Sequence, residues 1–547
     1  MRISDRTKIS DRTGIEPALV ALFAAGGIAL GFDVQAQEHS GAIGDRLGTV
    51  EFSVGCTAAA QEEFTRAMSL YHSFAWSQAA SVFEAAAKAD PDCGMAHWGR
   101  AMVILNNPFL WPGSLPPEKL DAVKAALEDA RASGLHDARE EGYAAALENF
   151  VRDRETLDHR ARVQAFEEGM GKVAAANVND VEASVLHALI TSANFNPVDR
   201  TYANQLRAAE ILEPLFDAHP DHPGIAHYLI HTYDYPSLAS DGLEAAKRYS
   251  EIAPDAPHAL HMPSHIFTRV GHWKDSIQLN TVSAKVDDGA SFNSHHAMDY
   301  RVYAHLQLAQ DNAAEAVIEN LWSADKADHF AAAFAYAADP ARIELETGDW
   351  EGAMALELVP AADAYPWDKY PHAEAINAFA RGVGAARAGD AEEAKAQRAR
   401  LLALRDATGP AYWVEQVDIQ AKIVGALGLC AEDRSDECIE ALREAATRED
   451  ATEKHVVTPG PILPARELLA DILLEHDRAA EALTEYETVL LKEPNRYRAV
   501  AGAAEAAEAA GEHAKARRHA VHLVEQAADA DVERSTIERA RRIAEAE

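Results

Sequence analysis

The sequence predicts an all-α chain in which helical hairpins stack into one right-handed α-solenoid. Three observations point there. Aromatic residues are only 7% of the 547 positions and alanine is abundant, a composition that suits close helix-on-helix packing better than strands. One pattern, Ala-x3-aromatic-x7-Pro, occurs at Ala79, Phe83 and Pro91, at Ala245, Tyr249 and Pro257, and at Ala482, Tyr486 and Pro494. Stretches with apolar positions at helical spacing, such as Ala465 to Leu474 and Ala479 to Leu491, alternate with polar turns such as Thr347-Gly348-Asp349, Ala388-Gly389-Asp390 and Ala510-Gly511-Glu512.

Taken in order, the chain opens on a targeting pattern. Arg2, Arg6, Lys8 and Arg12 precede an apolar run from Ala18 to Phe32, and Val34-Gln35-Ala36 offers a small-x-small cleavage site. Residues 1–36 are therefore expected to be a secretory signal peptide, with an uncleaved anchor as the alternative. A coil is expected over 37–56, then a long helical array over 57–450 with insertions at Asn106 to Pro117 and Asn194 to Arg200. A proline-rich loop over 451–464 is the expected boundary. Residues 465–547 complete the array as two hairpins and a polar capping helix rich in Ala, Glu and Arg.

Charge narrows the partners. With 51 Lys plus Arg against 88 Asp plus Glu, the net charge is −37. Such a surface repels phosphate backbones and anionic headgroups, and no basic stripe overrides it. Nucleic acid is excluded on this reading, as is a membrane once the signal is cleaved. Cationic ligands, basic peptides and metal ions remain.

Export to the periplasm or beyond gives the four cysteines a meaning. Cys56 and Cys93 flank the first helical pair, and Cys430 and Cys438 bracket a short polar loop. In an oxidising compartment each pair is expected to close as a disulfide; without export, reduced buried thiols are the expectation.

The recurring Ala, aromatic and Pro positions resemble the tetratricopeptide repeat (TPR), a 34-residue helix-turn-helix unit. The likeness is specific for Ala465 to Ala528 and for Phe64 to Pro91, and degenerate elsewhere. It implies an α-solenoid whose first helices line a concave groove.

Against this background the histidines stand out. Eleven of the 24 fall between His219 and His305. They form three motifs: His227-Tyr-Leu-Ile-His231, His258-Ala-Leu-His261-Met-Pro-Ser-His265, and His295-His296-Ala-Met-Asp299. On a helix, residues four apart share a face, close enough for two imidazoles to hold one ion. The steps from His227 to His261 to His295, and from His231 to His265 to Asp299, are each 34 residues. That is the repeat period, so His227, His231, His261 and His265 are expected to converge on one transition-metal ion, with His295 and Asp299 alongside. Aligning on the inter-helix turns instead sets Ala304 opposite His265, which shifts the third motif. Pro263 removes a backbone hydrogen bond within the second and predicts a kink.

Neutral imidazoles suit Zn, Cu, Fe or Ni. His258 and His296 are further candidate ligands, Asp234 and Tyr228 candidate supporting partners, and His455 and Glu467 weaker candidates beside the proline-rich loop. A catalytic residue is not assignable, although an open coordination position would support hydrolysis and a redox metal would support oxidation. The competing expectations are a groove that binds a peptide or protein without chemistry, and histidines that only pack. The segment Ala256-Pro-His-Ala-Leu-His-Met-Pro-Ser-His-Ile-Phe-Thr-Arg-Val-Gly271, with His227 to His231, Phe74, Asp90 to Gly99 and Thr458 to Glu467, is similar to a group of exported bacterial TPR proteins with a His-rich core. That likeness implies no settled activity.

Overall fold

The first hairpin pairs helix Ala58–His72 with helix Trp76–Ala89, and the same side-by-side arrangement recurs down the chain. Examples are Ala138–Val151 with His159–Ala176, Pro371–Arg387 with Ala391–Ala407, and Tyr497–Ala509 with His513–Gln526. These features come from a computed structural model that describes residues 43–110, 115–196, 199–286, 291–323 and 326–546. The expected signal peptide lies outside the described residues. Among the described residues there is no strand, and no helix is long and apolar enough to cross a membrane. The chain is an all-α solenoid of TPR-like hairpins.

The repeat pattern has a packing reason. Ala79, Phe83, Ala482 and Tyr486 are all buried, and each aromatic ring drives onto a glycine sixteen residues later. A Cβ added at Gly99 would lie 2.2 Å from the Phe83 ring, and one at Gly502 would lie 2.2 Å from the Tyr486 ring. In the middle copy the corresponding position is His265. There the Tyr249 ring stacks on His227 instead, with centroids 5.1 Å apart. The prolines vary more: Pro257 is the first residue of its helix, whereas Pro91 and Pro494 sit in the turn before the next one.

Both cysteine pairs are bonded, Cys56 to Cys93 and Cys430 to Cys438, with Cα atoms 5.0 and 5.3 Å apart. The first staples the incoming segment to the second turn of the array. Residues 43–56 are irregular but packed: Phe52 is buried against Phe64, Trp98 and Tyr143.

Apolar packing divides into two large cores, one from Ile43 to Phe267 and one from Met298 to Ala516. The carboxy-terminal hairpins return to the seam between them. Trp273 Nε1 donates to the Asn495 carbonyl at 3.0 Å, and Gln526 Nε2 to the Gln307 carbonyl at 2.6 Å. Gly271, at φ 71°, is needed there because a Cβ would lie 2.5 Å from the Pro494 carbonyl oxygen. The proline-rich stretch 451–464 crosses the same seam as a strap. Arg342 donates to Thr458 Oγ1 and to the carbonyls of Gly460 and Pro461, while Lys454 reaches Asp234 at 3.0 Å.

Candidate metal centre

The histidines gather in three clusters, in each of which one ligand atom per residue lies within 4.8 Å of the others: His227, His231 and the half-buried His258; His261, His265 and His296; and His72, Glu182 and His222. The four repeat-spaced histidines are thus shared between two triads, each completed by a third histidine off the 34-residue register.

Helix Pro223–Tyr233 carries His227 and His231 on one face, as the i,i+4 spacing requires. Pro263 then breaks the next stretch into helices Pro257–His261 and Pro263–Val270 at Met262. His258, on the first of these, lies against the first pair, its Nε2 3.2 Å from that of His227. His261 and His265 face each other, with Nε2 atoms 3.1 Å apart. Helix Phe292–Gln307 supplies His296, whose ring centroid is 4.2 Å from that of His261.

Every ring of the second triad is held from behind. His261 Nδ1 donates to Asn280 Oδ1 at 2.6 Å, His265 Nδ1 to Asp234 Oδ2 at 2.9 Å, and His296 Nδ1 to the Val457 carbonyl at 3.0 Å. With Nδ1 protonated in all three, Nε2 is the nitrogen each neutral ring keeps as an acceptor, and those of His261 and His265 already lie 3.1 Å apart. Fixing the tautomer through the far nitrogen is how proteins prepare metal-binding histidines.

The first triad is similar in part. His227 Nδ1 donates to the His72 carbonyl at 2.6 Å, and His231 Nε2 is buried with no hydrogen-bond partner. Its walls are aromatic: Phe74 lies 4.4 Å from His227 and stacks on His258 at 5.4 Å, and Phe109 stacks on His231 at 4.1 Å between centroids.

The third cluster is chemically different. His72 Nε2 and His222 Nε2 both donate to Glu182, at 2.9 and 2.7 Å. The other ring nitrogens accept, from Tyr228 Oη at 2.9 Å and from the Ile225 amide at 3.3 Å. Burial opposes the Glu182 charge, but the two imidazoles hold its carboxyl well below the usual range. All four ring nitrogens are engaged, so this cluster is a hydrogen-bonded brace for the backbone carbonyl that orients His227.

Electrostatics keep the triad rings neutral. Burial, then the neighbouring imidazoles, push His227, His231, His261 and His296 well below the ordinary histidine range, and His258 goes down to about 3. Neutral imidazole is the metal-binding form. Asp234 stays ionised because Lys454 and Arg269 outweigh its burial, and Arg269 Nε donates to it at 2.8 Å. Burial pushes Lys454 down to about 8.

Other residues singled out in the sequence lie apart from the triads. His295 turns away, with Nδ1 on the Ser291 carbonyl and its ring against His329 and Tyr336. Asp299 pairs with Arg342 at 2.9 Å, Glu467 with Arg496 at 2.7 Å, and His455 packs among Phe330, Tyr412 and Trp413. Residue type could not announce Asn280, the Val457 carbonyl or the brace on Glu182. They come from outside the motifs, and one is backbone.

No protein-family model and no curated protein sequence matches this chain. Solved structures of low similarity include the APC/C hetero-tetramer Cut9-Hcn1, 15% identical over 82% of this chain and 76% of that one, with a TM-score of 0.33. The human IFIT1 dimer with PPP-AAAA is 13% identical over 86% and 92%, with a TM-score of 0.37. The P58(IPK) TPR domain is 13% identical over 83% and 99%, with a TM-score of 0.20. The TPR-like architecture rests on the hairpins described above.

Proposed function

We propose that this chain is a helical-repeat scaffold whose interior binds transition-metal ions, one in each histidine triad. The observation that carries this reading is the second triad: three Nδ1 atoms tied to three acceptors from different parts of the chain, with one ligand atom of each ring within 4.8 Å of the others. A packed, ligand-free histidine cluster gains nothing from that common orientation. Elemental analysis of protein purified without a histidine tag tests it, with close to two equivalents expected. Less than a tenth of an equivalent, with no uptake when Zn(II) is titrated in, overturns it.

A second reading is favoured by the fold itself, since repeat solenoids commonly present their inner surface to peptides. Here the strap is already a proline-rich, irregular segment held by Arg342. On this reading the chain captures a peptide or protein partner without chemistry, and replacing His261 and His265 with Ala leaves capture intact. On the metal reading the same variant loses bound ion. Residence in the periplasm or outside the cell is part of the proposal, supported by two closed disulfides; fractionation of cells producing the full chain checks it.

A further inference from the structure

Resting on the metal reading above, we infer that the two triads form a single dinuclear centre for a pair of monovalent copper ions, and that the ligand it takes is dioxygen, bound between them. The triads are neighbours. Ring centroids of His231 and His265 are 6.4 Å apart, as are those of His258 and His261. With metal–nitrogen bonds near 2 Å, ions seated in the two triads face one another across that boundary.

Charge then selects the ion. All six donors are neutral imidazoles, and among the described residues neither triad includes a carboxylate or thiolate. The nearest ionic groups cancel: Asp234 and Glu453 stand against Lys454 and Arg269. Glu182 is committed to His72 and His222, and Asp299, one helical turn from His296, to Arg342. The cost of burying an ion rises with the square of its charge. Two divalent ions in this shell would bring four uncompensated positive charges, and two monovalent ions bring two. Of the metals that imidazole suits, copper is the one with an ordinary monovalent state.

The same charge count names the ligand. Each Cu(I) gives one electron to dioxygen, so two Cu(I) and O2 become two Cu(II) and one bridging peroxide. The O–O double bond is reduced to a single bond, two copper–oxygen contacts form, no protein bond breaks and no proton moves. The contents carry two net positive charges before and after, so oxidation adds no net charge to an interior that supplies none to offset it. The aromatic wall of Phe74 and Phe109 suits an apolar diatomic and disfavours hydrated anions.

The test uses the full chain, stripped of metal and loaded anaerobically with Cu(I), then exposed to dioxygen. Two Cu(I) bound, one O2 consumed per chain, and a product silent in electron paramagnetic resonance because the two Cu(II) spins couple, support the inference. In the double variant His265→Gln with His296→Gln, oxygen uptake is lost and one copper is retained. Two bound copper ions that consume no oxygen, or that oxidise to a full-intensity mononuclear Cu(II) signal, overturn it. A protein that binds two Zn(II) and behaves in that way sinks this inference and leaves the metal reading standing.

Discussion

Asn280→Leu tests the orientation of His261, because it removes the acceptor while keeping the number and branching of side-chain heavy atoms. In the native chain His261 Nδ1–H points at Asn280 Oδ1 from 2.6 Å. A metal on Nε2 obliges the proton to stay on Nδ1, so in the loaded variant a buried N–H has no partner, at a cost of about 1–3 kcal/mol. The apo variant can escape: its ring moves the proton to Nε2 and donates to His265 Nε2, 3.1 Å away. The penalty therefore falls on the loaded state, and affinity at the second triad drops about 10- to 100-fold, the usual effect of losing such a partner. The first triad, oriented by the His72 carbonyl, is unchanged. Competitive Zn(II) titration against a chromophoric chelator resolves the two classes of site. Equal weakening of both, or of neither, refutes the reasoning.

Three further outcomes follow from other parts of the fold. Replacing Cys56 and Cys93 with Ser removes a closure 37 residues long and costs about 4 kcal/mol by loop entropy, whereas the closure 8 residues long at Cys430 and Cys438 is worth about 2.5 kcal/mol; denaturant unfolding of the two double variants should rank them in that order. Gly99→Ala and Gly502→Ala each force a methyl group into an aromatic ring, with an expected loss of about 1–3 kcal/mol, and an unchanged unfolding midpoint for both would contradict the proposed packing. Burial holds His372 at about 3 in the folded chain, against about 6.5 unfolded. The unfolded chain thus binds the extra proton, and stability present above pH 6.5 is lost as pH falls toward 3. Between pH 7 and 5.5 this one ring accounts for about 1.3 kcal/mol. His372→Phe, stacked on Phe330 and Trp413, should flatten the stability–pH profile by that amount, and a parallel profile counts against it.

Much of the fold was legible because its signals are local. Hairpins follow from the Ala, aromatic and Pro spacing, and the break at Met262 from Pro263. The nearness of His227 to His231, and of His261 to His265, follows from helical periodicity. The third partner of each triad was harder to read. His258 stands three residues before His261, off the 34-residue repeat register. His296 takes the place that strict 34-residue spacing reserves for its neighbour His295, one residue out of the register of the first two motifs. Asp299 is drawn to Arg342, a residue that no histidine motif contains. The acceptors are hardest of all, since a carbonyl such as that of Val457 is available at every position and only tertiary folding selects one.

The strap gives the centre an order in time. His296 is oriented by a carbonyl 161 residues further along the chain, and Asp234 meets Lys454 across 220 residues. A polypeptide delivered from its amino end, by ribosome or by translocon, presents all six triad histidines long before residues 454 and 457 emerge. During that interval His261 and His265 already have their acceptors on Asn280 and Asp234, and only the His296 ring lacks the carbonyl that holds it. On the metal reading the second triad is therefore complete only when the strap docks, after more than four-fifths of the 547 residues have been delivered.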